Sequence, residues 1–196
     1  FVSRWIVAGP FDNEGKTGLD RSFGPEEEIQ DALSMARTYD GKERQVGNRM
    51  APDVFPFGWV DLGALMRPQE KVCGYASTFI RDPRAKSPRP FSIWFGASGA
   101  AKVFFDGREV LKDPKYRDLD TDRVGVTLIM KDAAWHRLTV KVCGDEDAPM
   151  FSLRLADREA AGAALGVDLP AKIGTRVAAG VRSALCLGPD EWLIEA

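Results

Sequence analysis

The stretch from Phe91 to Val110 reads FSIWFGASGAAKVFFDGREV. It contains two runs of strand-forming residues, Phe91–Phe95 and Val103–Phe105, joined by the small residues of Ala97–Ala100. The second run ends in Asp106-Gly107, a dipeptide that accommodates the positive φ angles of a tight hairpin turn. The stretch therefore predicts a hairpin within a compact antiparallel sheet.

Short runs of alternating polarity occur on both sides of this hairpin. In His136–Cys143, three apolar residues alternate with Arg137, Thr139 and Lys141, which is typical of a strand with one face in water. The glutamates after Pro25 indicate a short helix that ends near Arg37. Further strands are predicted at Ser3–Ala8, Phe57–Leu62, Lys71–Arg81, Arg123–Met130 and Met150–Ala156. This succession predicts an all-β fold, an antiparallel β-sandwich or jelly roll.

The sandwich is expected to span residues 3–157. Residues 158–196, of which Leu165–Gly180 are weakly patterned, are interpreted as a C-terminal extension that packs on the sandwich or leads to a next domain. The sequence begins with Phe1 rather than Met, so we interpret it as a piece of a longer protein or a processed product.

Composition and charge exclude several functions. The 196 residues carry a net charge of −2 without a basic run, which argues against a nucleic-acid partner. No apolar segment approaches the roughly 20 residues needed to span a membrane.

The three cysteines, Cys73, Cys143 and Cys186, form no CxxC pair, which excludes the common zinc and thioredoxin spacings. Cys73 and Cys143 each follow a valine and are interpreted as small buried residues in strands. A disulfide between them in an exported protein is the alternative.

Residues with catalytic or metal-binding chemistry are few. His136 is the single histidine and no GxSxG motif is present, so we expect no catalytic activity. Asp118, Asp120 and Asp122 alternate in RDLDTD, and carboxylate oxygens are ligands for calcium. The run lacks the glycine and distal glutamate of an EF-hand loop, so solvated acids are favoured and a structural calcium is the alternative. No other cofactor is expected.

The aromatic residues are candidates for ligand binding. A tryptophan in a predicted strand most often fills the core, whereas an exposed ring beside polar groups can stack on a sugar. The candidates for such a platform are Trp59, Tyr75, Trp94, Tyr116 and Trp135.

Several segments resemble a known fold family. Trp5–Asn13 (WIVAGPFDN), Ala101–Val110 and Trp135–Leu138 are similar to segments of galactose-binding-like jelly-roll domains in large bacterial multi-domain proteins. The resemblance implies a β-sandwich scaffold rather than an active site. The chain departs from the family pattern at Ala97–Gly99, at Asp106, where asparagine is usual, and at His136, which puts a polar function of those positions in doubt.

Together these features predict a non-catalytic binding module of a larger protein that recognises a carbohydrate or glycan. The alternative is a structural or protein–protein interaction module that positions neighbouring domains. The expected partners are a glycan or a protein and other domains of the same polypeptide. The expected location is the cell envelope, the periplasm or the extracellular space.

Overall fold

The computed structural model describes residues 2–52, 58–83, 85, 88–156, 167–170, 172–188 and 191–195. They belong to two compact units, residues 1–154 and 155–196. The expected domain boundary between residues 157 and 158 lies outside the described residues.

The regular elements of the first unit are mostly short strands, with two four-residue helices, α1 (Gly24–Glu27) and α2 (Leu62–Leu65), and a 3-10 turn at Glu14–Lys16. Its strands are β1 (Ile6–Asp12), β2 (Thr38–Asp40), β3 (Gln45–Gly47), β4 (Arg49–Met50), β5 (Trp59–Asp61), β6 (Val72–Ile80), β7 (Arg89–Ser98), β8 (Ala100–Phe105), β9 (Arg108–Asp113), β10 (Val124–Met130), β11 (His136–Cys143) and β12 (Met150–Ala156), the last two residues of which fall past the unit's end at residue 154. The all-β prediction is confirmed.

Two antiparallel sheets form the sandwich. One has six strands in the order β4-β1-β6-β11-β8-β9, and the other has four in the order β10-β7-β12-β5. Alternate residues of both sheets point into one apolar core, which includes Trp5, Ile93, Phe95, Val140 and Phe151. Trp5 and Phe151 meet edge to face, with ring centroids 5.0 Å apart. Burial of these side chains is the main stabilising contribution to the sandwich.

The Phe91–Val110 stretch differs from its prediction in one respect. Asp106 and Gly107 adopt the expected positive φ angles of 47° and 72° and join β8 to β9. The two strand-forming runs, however, do not pair with each other, because β7 belongs to the four-stranded sheet and β8 to the six-stranded sheet. Gly99, with a φ of 88°, lets the chain change sheets within one residue.

The predicted wet face of β11 is buried. Lys141 is 0% exposed because residues of the β1–β4 segment cover this side of the six-stranded sheet. Its ammonium group donates hydrogen bonds to the Glu26 carboxylate at 2.8 Å and to the carbonyl oxygens of Leu19 and Arg21. Burial lowers the pKa of Lys141, and the Glu26 carboxylate opposes that effect. The alternation of β11 is as predicted, but its polar face is not solvated.

Two further local predictions are wrong. The first strand does not end at Ala8 as predicted, because a bulge between Ala8 and Phe11 lets pairing with β6 resume. The predicted helix from Pro25 to Arg37 is only α1, and a chain of turns follows it.

The second unit contains a three-stranded antiparallel sheet in the order β13-β14-β15. Its strands are β13 (Arg176–Ala179), β14 (Arg182–Gly188) and β15 (Glu191–Glu195), and Val167, Leu169 and Ala184 form a small apolar cluster of their own. Among the described residues, no helix has the length and apolar character needed to cross a membrane.

Candidate functional site

A cavity of about 270 Å³ lies at the Cys143 end of β11. Three connections of the sandwich form it: the β7–β8 turn, the loop after β9 and the loop after β11. Its lining residues are Ser98, Gly99, Tyr116, Arg117, Asp118, Gly144, Asp145, Glu146 and Asp147. We call this cavity the loop-end cleft.

A disulfide anchors the base of the loop-end cleft. Cys73 and Cys143 are directly opposite in β6 and β11 and are joined by a 2.00 Å S–S bond that links positions 70 residues apart. The disulfide, which the sequence analysis gave as the alternative to two unpaired buried cysteines, is therefore present. Because Gly144 follows Cys143, the cleft loop starts at a covalently fixed point.

Asn13 connects the Tyr116 loop to the β11–β12 loop. Its side chain is 0% exposed, and its amide nitrogen donates to the Gly144 carbonyl at 2.7 Å and to the Tyr116 hydroxyl at 3.0 Å. Its Oδ1 accepts a hydrogen bond from the Gly18 amide at 2.9 Å. One buried amide thus joins two walls of the cleft, at Tyr116 and at Gly144, to the segment of residues 13–18.

Two glycines allow the loops to approach each other. A Cβ on Gly99 would lie 2.2 Å from the Cys143 carbonyl oxygen, and one on Gly144 would lie 2.2 Å from the Asp147 carbonyl oxygen. The Gly99 amide donates to the Arg117 carbonyl at 2.8 Å, which joins the β7–β8 turn to the Tyr116 loop. No larger side chain fits either position without movement of the backbone.

The loop-end cleft is acidic. Four of its lining residues carry carboxylates, and only Asp145 among them has an ion-pair partner within the described residues, Lys16 at 2.9 Å. The Lys16 ammonium group also lies 4.9 Å from the centre of the Tyr116 ring. The hydrogen bond and charge of Asp145 raise the pKa of Lys16, and burial raises the pKa of the Tyr116 hydroxyl.

Such an arrangement provides hydrogen-bond acceptors beside an aromatic ring. Carboxylates accept from hydroxyl or ammonium groups, and a tyrosine ring packs against C–H surfaces. The lining residues include no histidine, cysteine or lysine.

The predicted aromatic residues are not assembled into one platform. Tyr75 is 1% exposed and donates its hydroxyl to Glu26 at 2.7 Å, so it presents no ring to solvent. Trp59 and Trp135 are 40% and 64% exposed and lie on β5 and before β11. Trp94 is half-buried on β7, and only Tyr116 lies in the loop-end cleft.

The three predicted calcium ligands are also dispersed. Asp118 lines the loop-end cleft, Asp120 is exposed, and Asp122 forms a 3.0 Å ion pair with Arg154. Within the ranges that the structure describes, no three His, Cys, Asp or Glu side chains are grouped closely enough to hold a metal ion. The calcium site stays a prediction.

The candidate site residues predicted from the sequence did not include the acids of the β11–β12 loop, Asp145, Glu146 and Asp147. They form a run directly after a predicted strand, and that position is the signal that could have identified them. The bridging role of Asn13 has no comparable signal, because its partners Gly144 and Tyr116 are more than 100 residues away.

His136 lies at the opposite end of β11 and is buried. Its Nδ1 is 2.8 Å from the Asp106 carboxylate, its Nε2 is 3.3 Å from the Asp132 carbonyl oxygen, and its ring stacks on Phe105. Burial lowers the pKa of His136, but the hydrogen bonds and charges of Asp106 and Asp132 outweigh that effect and raise the pKa above its ordinary value.

No protein-family model and no curated protein matches the chain. Among solved structures, it is similar to a PA14 sugar-binding domain from an RTX adhesin, with 11% identity, 81% of this chain and 92% of that chain covered, and a TM-score of 0.43. It is similar to the PA14 domain of the antifreeze protein MpAFP, with 9% identity, 43% of each chain covered and a TM-score of 0.36.

A third similar structure is the GH31 α-xylosidase from Xanthomonas citri, with 11% identity, 80% of this chain and 15% of that chain covered, and a TM-score of 0.43. The chain thus spans less than half the length of the antifreeze-protein domain and about one-seventh of the xylosidase. The sandwich assignment rests on the strand pairing of the chain itself.

Proposed function

We propose that the first unit is a non-catalytic binding module that takes a carbohydrate in the loop-end cleft. The observation that carries this proposal is the joint placement of the Tyr116 ring and four carboxylates around one open cavity. Sugars present both hydroxyl donors and an apolar C–H surface, and the cleft offers a partner for each.

The carboxylates supply the polar half of the contact. Asp118, Glu146 and Asp147 have no ion-pair partner among the described residues, so their oxygens are free to accept from ligand hydroxyls. Hydrogen bonds to ionised acceptors are stronger than neutral ones. A hydroxyl-rich ligand therefore gains more here than an apolar one.

The rigidity of the walls favours binding. The disulfide and the Asn13 hydrogen bonds hold the cleft loops before a ligand arrives. Less conformational entropy is then lost on binding than in a site built on free loops.

The disulfide also bears on location. Disulfides persist in oxidising compartments, so the Cys73–Cys143 bond supports a module exposed outside the cytoplasm, in the periplasm, on the cell envelope or in the extracellular space. We place the module within a larger polypeptide whose other domains it accompanies.

A glycan array followed by calorimetry tests the proposal, with calcium and with a chelator. Tyr116→Ala and the double variant Glu146→Gln/Asp147→Asn should each weaken binding at least about tenfold. Trp135→Ala is the matched control, because its exposed ring lies at the other end of β11, and it should bind as the parent chain does. Absence of binding across the array in both conditions would overturn the proposal.

A second function is favoured by a separate observation. The exposed ring of Trp135 lies beside Arg81, whose guanidinium carbon is 5.9 Å from the ring centre. Tryptophan and arginine are enriched in the energetic centres of protein interfaces. A structural or protein-interaction module would use this end, and its partner binding would be lost in Trp135→Ala but retained in Tyr116→Ala.

A further inference from the structure

We propose that the free edge of β10 is an association surface, on which a second copy of this chain adds its own β10 to form an antiparallel pair. The association goes beyond the proposed function and does not depend on it. Three features support it: the unprotected edge of β10, the partly open apolar side chains along that edge, and the register in which two copies fit.

β10 is an edge strand of the four-stranded sheet. Within the part of the chain that the structure describes, its backbone pairs with β7 alone, in one unbroken register from Val124 to Met130. The N–H and C=O groups of alternate residues therefore point away from β7. A strand of seven residues thus offers one side for main-chain pairing with another strand.

The other edge strands of the two sheets are protected against such pairing. β4 and β5 are only two and three residues long. β9 has a bulge in its pairing with β8 and carries four charged side chains, Arg108, Glu109, Lys112 and Asp113. β10 has no charged residue, no proline and no bulge. Because natural edge strands normally carry one of these protections, their absence from β10 indicates an edge that pairs with a partner.

The side chains of β10 leave apolar surface along this edge. Leu128 and Met130 are buried, whereas Val124 and Val126, which pack against the same core, are only half-buried. On the outer face of the strand, Ile129 is 49% exposed. A strand added beside β10 would cover the partly open side chains on both faces.

A second copy of β10 fits this edge in an antiparallel register centred on Thr127. In that register, Val124 lies opposite Met130 of the second copy, and Val126 lies opposite its Leu128. Each half-buried valine thereby gains an apolar cross-strand neighbour. Two identical strands paired in this way are related by a two-fold axis, which is the commonest symmetry of protein dimers.

The charges at the ends of β10 balance in the same register. Residues 122 and 123 of one copy lie opposite residues 132 and 131 of the other, and each of these dipeptides holds one acid and one base. Asp122 is also neutralised within its own chain by Arg154 at 3.0 Å, and Arg123 by Asp113. The ends of the strand pair therefore carry no net charge that would drive the two copies apart.

The molecular mass at increasing concentration tests this association. Sedimentation equilibrium of the 196-residue chain should show a reversible monomer–dimer equilibrium between about 10 µM and about 1 mM, because one strand pair buries less than the roughly 1,200 Å² of a standard interface. Thr127 is exposed, and Thr127→Lys or Thr127→Glu would place two like charges opposite each other at the centre of the pair. At low ionic strength each variant should raise the dissociation constant about fivefold.

An equimolar mixture of the Thr127→Lys and Thr127→Glu variants should restore the dimer, because a lysine then faces a glutamate. Arg108→Glu is the matched control, since it changes an exposed charge on β9 and should leave the equilibrium as in the parent chain. Urea unfolding of each variant confirms that folded proteins are compared.

Three results would overturn the proposal. The first is a parent chain that stays monomeric over the whole concentration range. The second is a dimer that the two Thr127 variants leave as strong as in the parent, which would locate the contact elsewhere. The third is a mixture of the two variants that remains as weakly associated as each alone, because the two strands would then not face each other at Thr127.

Discussion

The two ends of β11 are held in different ways. At the Cys143 end, a disulfide and a buried asparagine join three loops around a cavity. At the His136 end, an ion pair between His136 and Asp106 holds the β8–β9 turn, and Trp135 is exposed beside it. The disulfide and the asparagine hydrogen bonds of the first end do not titrate near neutral pH, whereas the contacts of the second end include a histidine that does.

This difference teaches where a binding site can be built on a sandwich. A cleft needs loops that keep their positions when a ligand approaches, and covalent and buried hydrogen-bonded links provide that. The His136 end includes a histidine contact that changes with pH, beside the hydrogen bonds that join Asp106 to the Arg137 backbone, and it presents the exposed Trp135 ring. The proposed function therefore puts ligand binding at the Cys143 end, and loss of the links at either end should affect the protein differently.

The largest effect is expected from the disulfide. In Cys73→Ala/Cys143→Ala, the unfolded chain regains the freedom of a loop of about 70 residues, and the chain-entropy relation predicts a loss of about 4 kcal/mol in the free energy of unfolding. Urea unfolding followed by tryptophan fluorescence measures it. Parent protein treated with a reductant should unfold at the same urea concentration as the double variant. A loss well below 1 kcal/mol would show that the Cys143 end is not held by this bond.

Asn13→Ala is expected to have the next largest effect. The substitution leaves the Gly18 amide, the Gly144 carbonyl and the Tyr116 hydroxyl without their partner, at about 1–3 kcal/mol for a buried unpaired group, and we expect a total near 3 kcal/mol. Asn48→Ala is the control, because its amide donates from a partly exposed position. Sugar binding should fall more in Asn13→Ala than its stability loss alone explains. Equal binding by the two variants would contradict the bridging role.

Sequence and structure agree most closely where interactions are local. The Asp106-Gly107 turn and the β11 alternation were predictable because turn geometry and strand periodicity depend on neighbouring residues. Burial of Lys141 was not, since it depends on Glu26 of a segment more than 100 positions away. Only part of the loop-end cleft was predictable from the sequence. Tyr116 and Asp118 were among the candidate site residues, whereas Asn13 and the acids of the β11–β12 loop come close to them only in the folded chain.

A smaller effect is expected from pH at the His136 end. The folded-state pKa of His136 is raised, so its contact with Asp106 contributes stability that is complete below about pH 6.5 and is lost as pH rises through the folded-state pKa. The free energy of unfolding should therefore fall between slightly acidic and alkaline pH. His136→Asn should remove most of this dependence, as followed by urea unfolding across the pH range. If the parent protein and the variant show the same pH profile, the His136 contact does not make this end of β11 sensitive to pH.

The smallest effect is expected from Trp135→Ala. Its ring is 64% exposed and its described contact is with the Arg81 guanidinium, a cation–π interaction worth about 0.5–1 kcal/mol at such sites. The free energy of unfolding should therefore change by no more than about that amount, and sugar binding in the loop-end cleft should not change, because eight residues of β11 separate the two ends. Calorimetric titration and urea unfolding of the same variant measure both quantities. Weaker sugar binding in this variant, without a matching loss of stability, would mean that the ligand reaches the His136 end. Ligand binding could then no longer be assigned to the Cys143 end of β11 alone.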